Sequence, residues 1–360
     1  MKKLVYIAGS ECAGGTGVAK KIRNEMKAFN LHGIETEVVY VQELPKWKKA
    51  LPFSSSFDWD SVDVRNADYL YIRWEPVSAP FLRFLKRCRQ NNPGIRTVME
   101  IPTYPYLDEL KKLSNPVTIA RDGFYKRFLK NYIERISVFP RPEAIFGVPT
   151  LDLVNCISVD DIMIPDRKEH RDDHVINVIA VASVHYYYGF DRFLKGMAEY
   201  YQQEQEYEVR FHLVGDGTAL PELRELCDQL DLNKYVTFYG YKNGAELDAV
   251  YELADIGIDV LGGHRKGVTW FGSLKTREYM CKGLPFITEV TVPEEIDPVR
   301  KYILSVPCDE SAIEITDLVE FFREIRQESK SQIISNMRNF AYSYCDIRVA
   351  MDPVIEYLKQ

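Results

Sequence analysis

A chain of 360 residues that is 46% hydrophobic and 28% charged is globular and too long for one ordinary core, so about two domains are expected. No apolar run reaches the roughly 20 residues of a membrane span, and "MKKLVYIAGSECAGG" reads as a first strand entering a loop, not as a signal peptide. Seven scattered cysteines without a C-x-x-C exclude a disulfide framework and a zinc site and point to a reducing cytoplasm. The net charge of −7 divides unevenly, with 24 Lys and Arg against 16 Asp and Glu in residues 1–150 and 22 against 37 in the rest.

The first half alternates strand and helix. "KLVYIA" is a strand. The following helix, "GVAKKIRNEMKAFNLHG", repeats Val18, Ile22, Met26 and Phe29 at helical spacing and stops at Gly33. The strands "TEVVYV" and "ADYLYIRW", the helix "APFLRFLKRCRQN" and the strand "RTVMEI" continue a βαβ rhythm. Residues 117–138 are predicted helical, and "AIFGVP" and "LDLVNCISV" are short strands. Basic residues at 46–50, 83–90 and 126–136 alternate with apolar and aromatic ones. They form either solvated helix faces or a basic face for an anionic surface or acceptor.

The charged stretch "PDRKEHRDDH" (165–174) has no apolar period and marks a boundary. Beyond it the rhythm restarts, with strands at "INVIAVAS", "VRFHLVGDG", "VTFYGY", "IGIDVLG" and "PFITE" separated by helices, and with helices at the end. The expected domains are 1–165 and 166–345, both Rossmann-like, with 346–360 as a final helix. Ligand is expected at the carboxyl ends of the strands.

Two stretches carry site signals. The loop after the first strand has Gly14, Gly15 and Thr16. It lacks the third glycine of a dinucleotide fingerprint, where Lys20 stands, and the Lys-Ser/Thr of a Walker A loop. Its glycines permit close backbone approach, and the next helix offers N–H groups to an anion. The second stretch is "HRKGVTWFGSLKTREYMCKGLPFITE" (264–289). Here Lys275 and Glu278 share one helical face, and Arg265 and Lys266 lie nearby to oppose a diphosphate. The alternative is a surface helix with ion pairing. Tyrosines in "HYYYGF" and "YPYLDEL" are candidates for stacking on a base or sugar. Neither a nucleic-acid motif nor an overall basic charge is present.

"SLKTREYMCKGLPFI" resembles the L-K-x-x-E-Y-x-x-x-G-x-P stretch of the family 4 glycosyltransferases. "FHLVGDGTALPELRELCDQLDLNKYVTFYGY" is similar to that family's glycine turn, helix and F-x-G element, and "GGTG" to its first glycine loop. The resemblance implies the α/β GT-B fold, with two Rossmann-like domains, an interdomain cleft and a last helix crossing back to the first domain. It implies retaining transfer of a sugar from a nucleotide diphosphate-sugar, with a UDP-sugar favoured over a GDP-sugar and no cofactor or metal. On this reading Glu278 holds the ribose, Gly240 and Tyr241 frame the base, and Gly215 and Gly217 approach the donor. Ser273, Leu274, His185 and Arg265 complete the donor set in the second domain. Gly14, Gly15 and Thr16 form an opposing wall. Lys275, Lys266 and Arg192 stabilise the departing diphosphate, and Glu100, Thr103 or Tyr104 faces the sugar.

The sequence departs from the family pattern where a second glutamate is usual, which here is Trp270, and in "SVHYYYGFDR" and "VNCIS". The acceptor implied is a glycan or polyprenyl-linked sugar of surface or capsular polysaccharide synthesis. The protein is expected to be cytoplasmic, either free or peripheral at the inner membrane face through its basic first domain. The competing readings are a non-catalytic glycosyltransferase-like partner subunit and an NAD-dependent oxidoreductase.

Overall fold

The structure is a computed structural model describing residues 2–12, 17–107, 110–111, 114–139, 141–166, 174–268 and 270–360. Its contacts divide the chain into one unit of Met1–Ile157 with Tyr344–Gln360 and a second of Ser158–Ser343.

The first unit is built on β1 (Lys2–Gly9), β2 (Ile34–Val41), β3 (Tyr69–Arg73), β4 (Arg96–Ile101), β5 (Arg135–Val138), β6 (Ala144–Ile145) and β7 (Val148–Asp152). The strand order is β2-β1-β3-β4-β5-β7-β6, parallel except for the antiparallel β6–β7 pair. Its helices are α1 (Gly17–Leu31), the single turn α2 (Lys46–Lys49), α3 (Ala79–Asn91) and α4 (Pro116–Tyr125). The central strands read as unbroken apolar runs because both faces of the sheet are covered. Leu70 and Ile72 enter a core with Trp59, Phe81 and Phe84. Tyr69 and Tyr71, pointing the other way along the same strand, join Leu4, Tyr6 and Phe29. At the start of α3, Ser78 accepts a hydrogen bond from the Phe81 amide (3.3 Å), and Pro80 occupies the first turn.

One expected helix is corrected. Residues 117–138 are not helical throughout: α4 ends at Tyr125, a 3-10 turn follows over Lys126–Asn131, and Arg135–Val138 is strand β5 beside β4. "RISV" is too short for periodicity to separate a strand from a helix end; pairing with β4 decides it.

The chain returns to this unit at its end. Ile157 donates its amide to the Cys345 carbonyl (2.8 Å), and Ile347 donates to Ile157 (3.0 Å). The last helix, here α11 (Asp352–Lys359), buries Val354, Ile355 and Leu358 against Leu4 and Tyr6. Arg96 donates to the Tyr357 carbonyl (2.5 Å), and the Tyr357 hydroxyl donates to Glu134 (2.7 Å).

The second unit carries β8 (Val175–Val181), β9 (Glu208–Val214), β10 (Val236–Gly240), β11 (Ile256–Ile258), β12 (Phe286–Thr288) and β13 (Ile303–Ser305). All are parallel, in the order β10-β9-β8-β11-β12-β13. The helices are α5 (Phe190–Tyr200), α6 (Leu220–Gln229), α7 (Gly244–Tyr251), α8 (Leu274–Lys282), α9 (Ile315–Ile325) and α10 (Lys330–Tyr344). Strand β13 extends the sheet beyond the sequence reading. The order reverses between β8 and β11, which makes their carboxyl ends the topological switch point, where doubly wound sheets take ligands. Among the described residues no helix is long and apolar enough to cross a membrane. The seven cysteines are free thiols, six buried and Cys308 exposed.

Candidate functional site

The loops at the carboxyl ends of the second sheet are locked together by backbone. Ala182 donates to the Val214 carbonyl (3.0 Å), Val184 to Asp216 (2.9 Å) and Gly215 to Gly240 (2.8 Å). The approach is close enough to require glycine. Gly215 has φ +130°, and a Cβ there would lie 1.8 Å from the Ala182 carbonyl oxygen; at Gly217 it would lie 2.3 Å from that of Val184. Gly215, Gly217 and Gly240 therefore shape this rim. Tyr241, just beyond β10, is 68% exposed.

Helix α8 opens onto the switch point. Ser273 caps it, accepting from the Thr276 amide (3.2 Å), and donates its hydroxyl to Asp259 at the end of β11 (2.5 Å). Leu274 and Lys275 thus stand in the first turn, where helix N–H groups and the macrodipole favour an anion. Lys275 lies 3.4 Å from Asp259, and its ammonium sits 4.2 Å above the Tyr188 ring. One turn on, Glu278 is half-buried on the same helix.

Three successive tyrosines each carry a cation: Arg265 lies 4.3 Å over Tyr186, Lys266 4.8 Å over Tyr187, and Lys275 over Tyr188. These rings are occupied as cation platforms. His185 stacks on Tyr187 (5.3 Å) and shares a 3.0 Å hydrogen bond with Thr218.

Two of the expected diphosphate-binding cations are enclosed instead. Arg192 is fully buried. It donates to Glu289 (2.8 Å), to the carbonyls of Ser311 (2.7 Å) and Pro307 (2.9 Å), and to that of Leu261. The Arg265 side chain is 3% exposed and donates to Asp191 (2.7 and 3.0 Å) and to Glu310 (2.8 Å). Those contacts hold the Glu310 carboxyl down at about 2; burial works to raise Asp191, and Arg265 lowers it. Arg192 and Arg265 thus brace the loops around the switch point, whereas Lys275, paired with Asp259, and Lys266, over Tyr187, are only partly buried. His264, Glu289 and Cys308 bring ligand atoms within 4.8 Å of one another, but Glu289 already neutralises Arg192.

Glu100, expected to face the sugar, is instead fully buried, accepting from Tyr6 (2.9 Å), Lys21 (2.5 Å) and Arg73 (2.9 Å). Lys21 also donates to Glu25, so α1 buries two charges beside Ile22 and Phe29. Burial alone would raise Glu100; Lys21 and Arg73 outweigh it and hold the carboxyl at about 2. Glu25 is raised by burial and by the charge of Glu100. Gly14, Gly15 and Thr16 lie outside the described residues.

Sequence reasoning missed Asp259, Asp191, Glu289 and Glu310, the carboxylates that fix the basic residues. Asp259 had a local signal, a polar residue closing the apolar strand "IGID". The others gain meaning only through contacts 45 to 97 positions away.

The model of glycosyl transferases group 1 matches residues 176–320, within the second unit. No curated protein sequence matches the chain. Among solved structures it is similar to a glycosyltransferase from Rickettsia africae ESF-5, 12% identical over 99% of this chain and 98% of that one, with a TM-score of 0.67. A sucrose-phosphate synthase from Thermosynechococcus elongatus is 15% identical over 100% and 99%, with a TM-score of 0.65. Anabaena Alr3699/HepE in complex with UDP and glucose is 15% identical over 100% of both chains, with a TM-score of 0.60. The chain thus carries a glycosyl transferases group 1 domain in its second unit and shares the GT-B fold of these structures.

Proposed function

We propose that the protein is a retaining glycosyltransferase moving a sugar from a nucleotide diphosphate-sugar to a glycan or lipid-linked acceptor of surface or capsular polysaccharide synthesis. The observation that carries this reading is the α8 N-terminus with Lys275, placed at the β8/β11 switch point between glycine-tight loops. In this reading the diphosphate lies against the first turn of α8 and Lys275, and Glu278 accepts hydrogen bonds from the ribose diol. The bond from the anomeric carbon to the diphosphate oxygen breaks as the bond to the acceptor oxygen forms on the same face. The acceptor proton passes to the departing diphosphate, whose charge is stabilised by preorganised donors. A UDP-sugar is favoured over a GDP-sugar, supported by the UDP in Anabaena HepE.

The first unit takes the acceptor. Peripheral membrane association is supported by Trp47 (66% exposed) and Phe53 (80% exposed) beside Lys46, Lys48 and Lys49. A second reading, a non-catalytic partner subunit, is favoured by the neutralised Arg192 and Arg265. A thermal-shift screen of nucleotide diphosphates and their sugars, followed by a hydrolysis and transfer assay, separates the two. Binding with turnover that Glu278→Ala abolishes supports the enzyme; absence of both in the isolated wild-type chain supports the partner subunit.

A further inference from the structure

The first unit has its own cleft, of about 690 Å³, at the carboxyl ends of its parallel strands, and its wall chemistry is mixed in an informative way. Arg73, at the end of β3, lines it with a side chain 13% exposed. Its Nη1 donates to Glu100 (2.9 Å); among the described residues no acceptor meets its Nε or Nη2. Beside it the Trp74 indole Nε1–H is buried without a partner among the described residues. The Trp74 ring packs on Tyr106, with centroids 4.0 Å apart. Lys46, also lining the cleft, has no ion pair among the described residues, whereas neighbouring Lys49 is held by Glu43 (2.8 Å). Asn115, the cap of α4, and Thr118 in its first turn complete the wall, so a ten-residue helix opens onto the cleft at its positive end.

A guanidinium with two spare donors, an unpaired ammonium and a helix N-terminus select an oxyanion. An aromatic wall with a spare N–H, and the carboxylates of Glu43 and Glu75, suit the face and hydroxyls of a sugar ring. We propose that this cleft binds a saccharide carrying an oxyanion, a phosphate or a carboxylate, with Arg73 as the anion fork and Trp74 against the sugar. The buried Glu100–Lys21 pair serves as a positioning device that fixes Arg73. As an acceptor assignment this rests on the reading of the first unit given above.

The test is titration of the full chain at low salt with glucose 1-phosphate, glucuronic acid and glucose, followed by ligand-observed NMR or calorimetry. The two anionic sugars should bind at least tenfold more tightly than glucose, with the preference reduced several-fold in Lys46→Ala and lost in Arg73→Gln. Should Arg73→Gln fail to fold, Arg73→Lys keeps the charge against Glu100 without the planar fork and should reduce the preference. Equal affinity for the three sugars in the wild type overturns the inference, as does a preference unchanged in these variants or displacement of glucose 1-phosphate by equimolar UDP. UDP binding measured in parallel separates the two claims. A chain that binds UDP but does not discriminate the sugars refutes only this inference, and discrimination without UDP binding refutes only the donor reading.

Discussion

Arg192 and Lys275 both carry positive charge in the second unit, and their surroundings assign them different tasks. Arg192 and its partner Glu289 are both fully enclosed, so Arg192→Ala leaves a carboxylate buried without its countercharge. A loss of about 3–5 kcal/mol is expected, read as a lower unfolding midpoint in urea. Lys275 keeps its side chain 18% exposed over Tyr188. Lys275→Ala removes the countercharge of the buried Asp259, which keeps its hydrogen bonds from Ser273 and Thr288, so a smaller loss of about 1–3 kcal/mol is expected together with weakened nucleotide binding. An unchanged affinity would remove Lys275 from the site. The same contrast marks what one residue's identity can tell. "R" and "K" in "HRKG" and "FDRF" advertise charge, but whether that charge is available depends on Asp191, Glu289, Glu310 and Asp259, which sequence spacing does not place beside them.

Elements were more legible than side-chain roles. Helix α3 lies over the residues its apolar period predicted, and β4 matches "RTVMEI" end to end, because burial on a regular element imposes a period on the sequence. Strand β5 escaped because four residues carry too little pattern, and β13 because pairing with β12 alone defines it. Turns with a steric demand were readable as well: the "GDG" after β9 is glycine at both positions where a neighbouring carbonyl leaves no room for a Cβ. Gly215→Ala, with its φ of +130°, should therefore cost more than about 1 kcal/mol by chemical denaturation. A neutral outcome would mean that the β8 and β9 loops separate readily.

At the scale of the molecule, the first unit hides a charged cluster inside a parallel sheet and closes it with the end of the chain. Glu100 sits at about 2 in the folded state against an ordinary 4.5, so its contribution is present above pH 4.5 and is lost as the pH falls from there towards 2. Glu25, raised, works in the opposite sense and favours the folded state at lower pH. Thermal melts of the wild type should fall over that acid range, and Glu100→Gln should flatten the fall while lowering the melting temperature at neutral pH. A wild-type melt flat from pH 4.5 to 2 would show that Glu100 is not held low. Removal of residues 346–360 takes Met351, Val354, Ile355 and Leu358 out of the core around Leu4 and Tyr6, and loss of cooperative unfolding of the first unit is expected.

The central claim is that a nucleotide diphosphate binds the second unit at the head of α8, and calorimetric titration of UDP into the wild type, Lys275→Ala and Glu278→Ala tests it most directly. The account predicts one UDP per chain, with affinity falling at least tenfold in each variant while the folded state persists. No binding by the wild type, or equal binding by all three proteins, would contradict it.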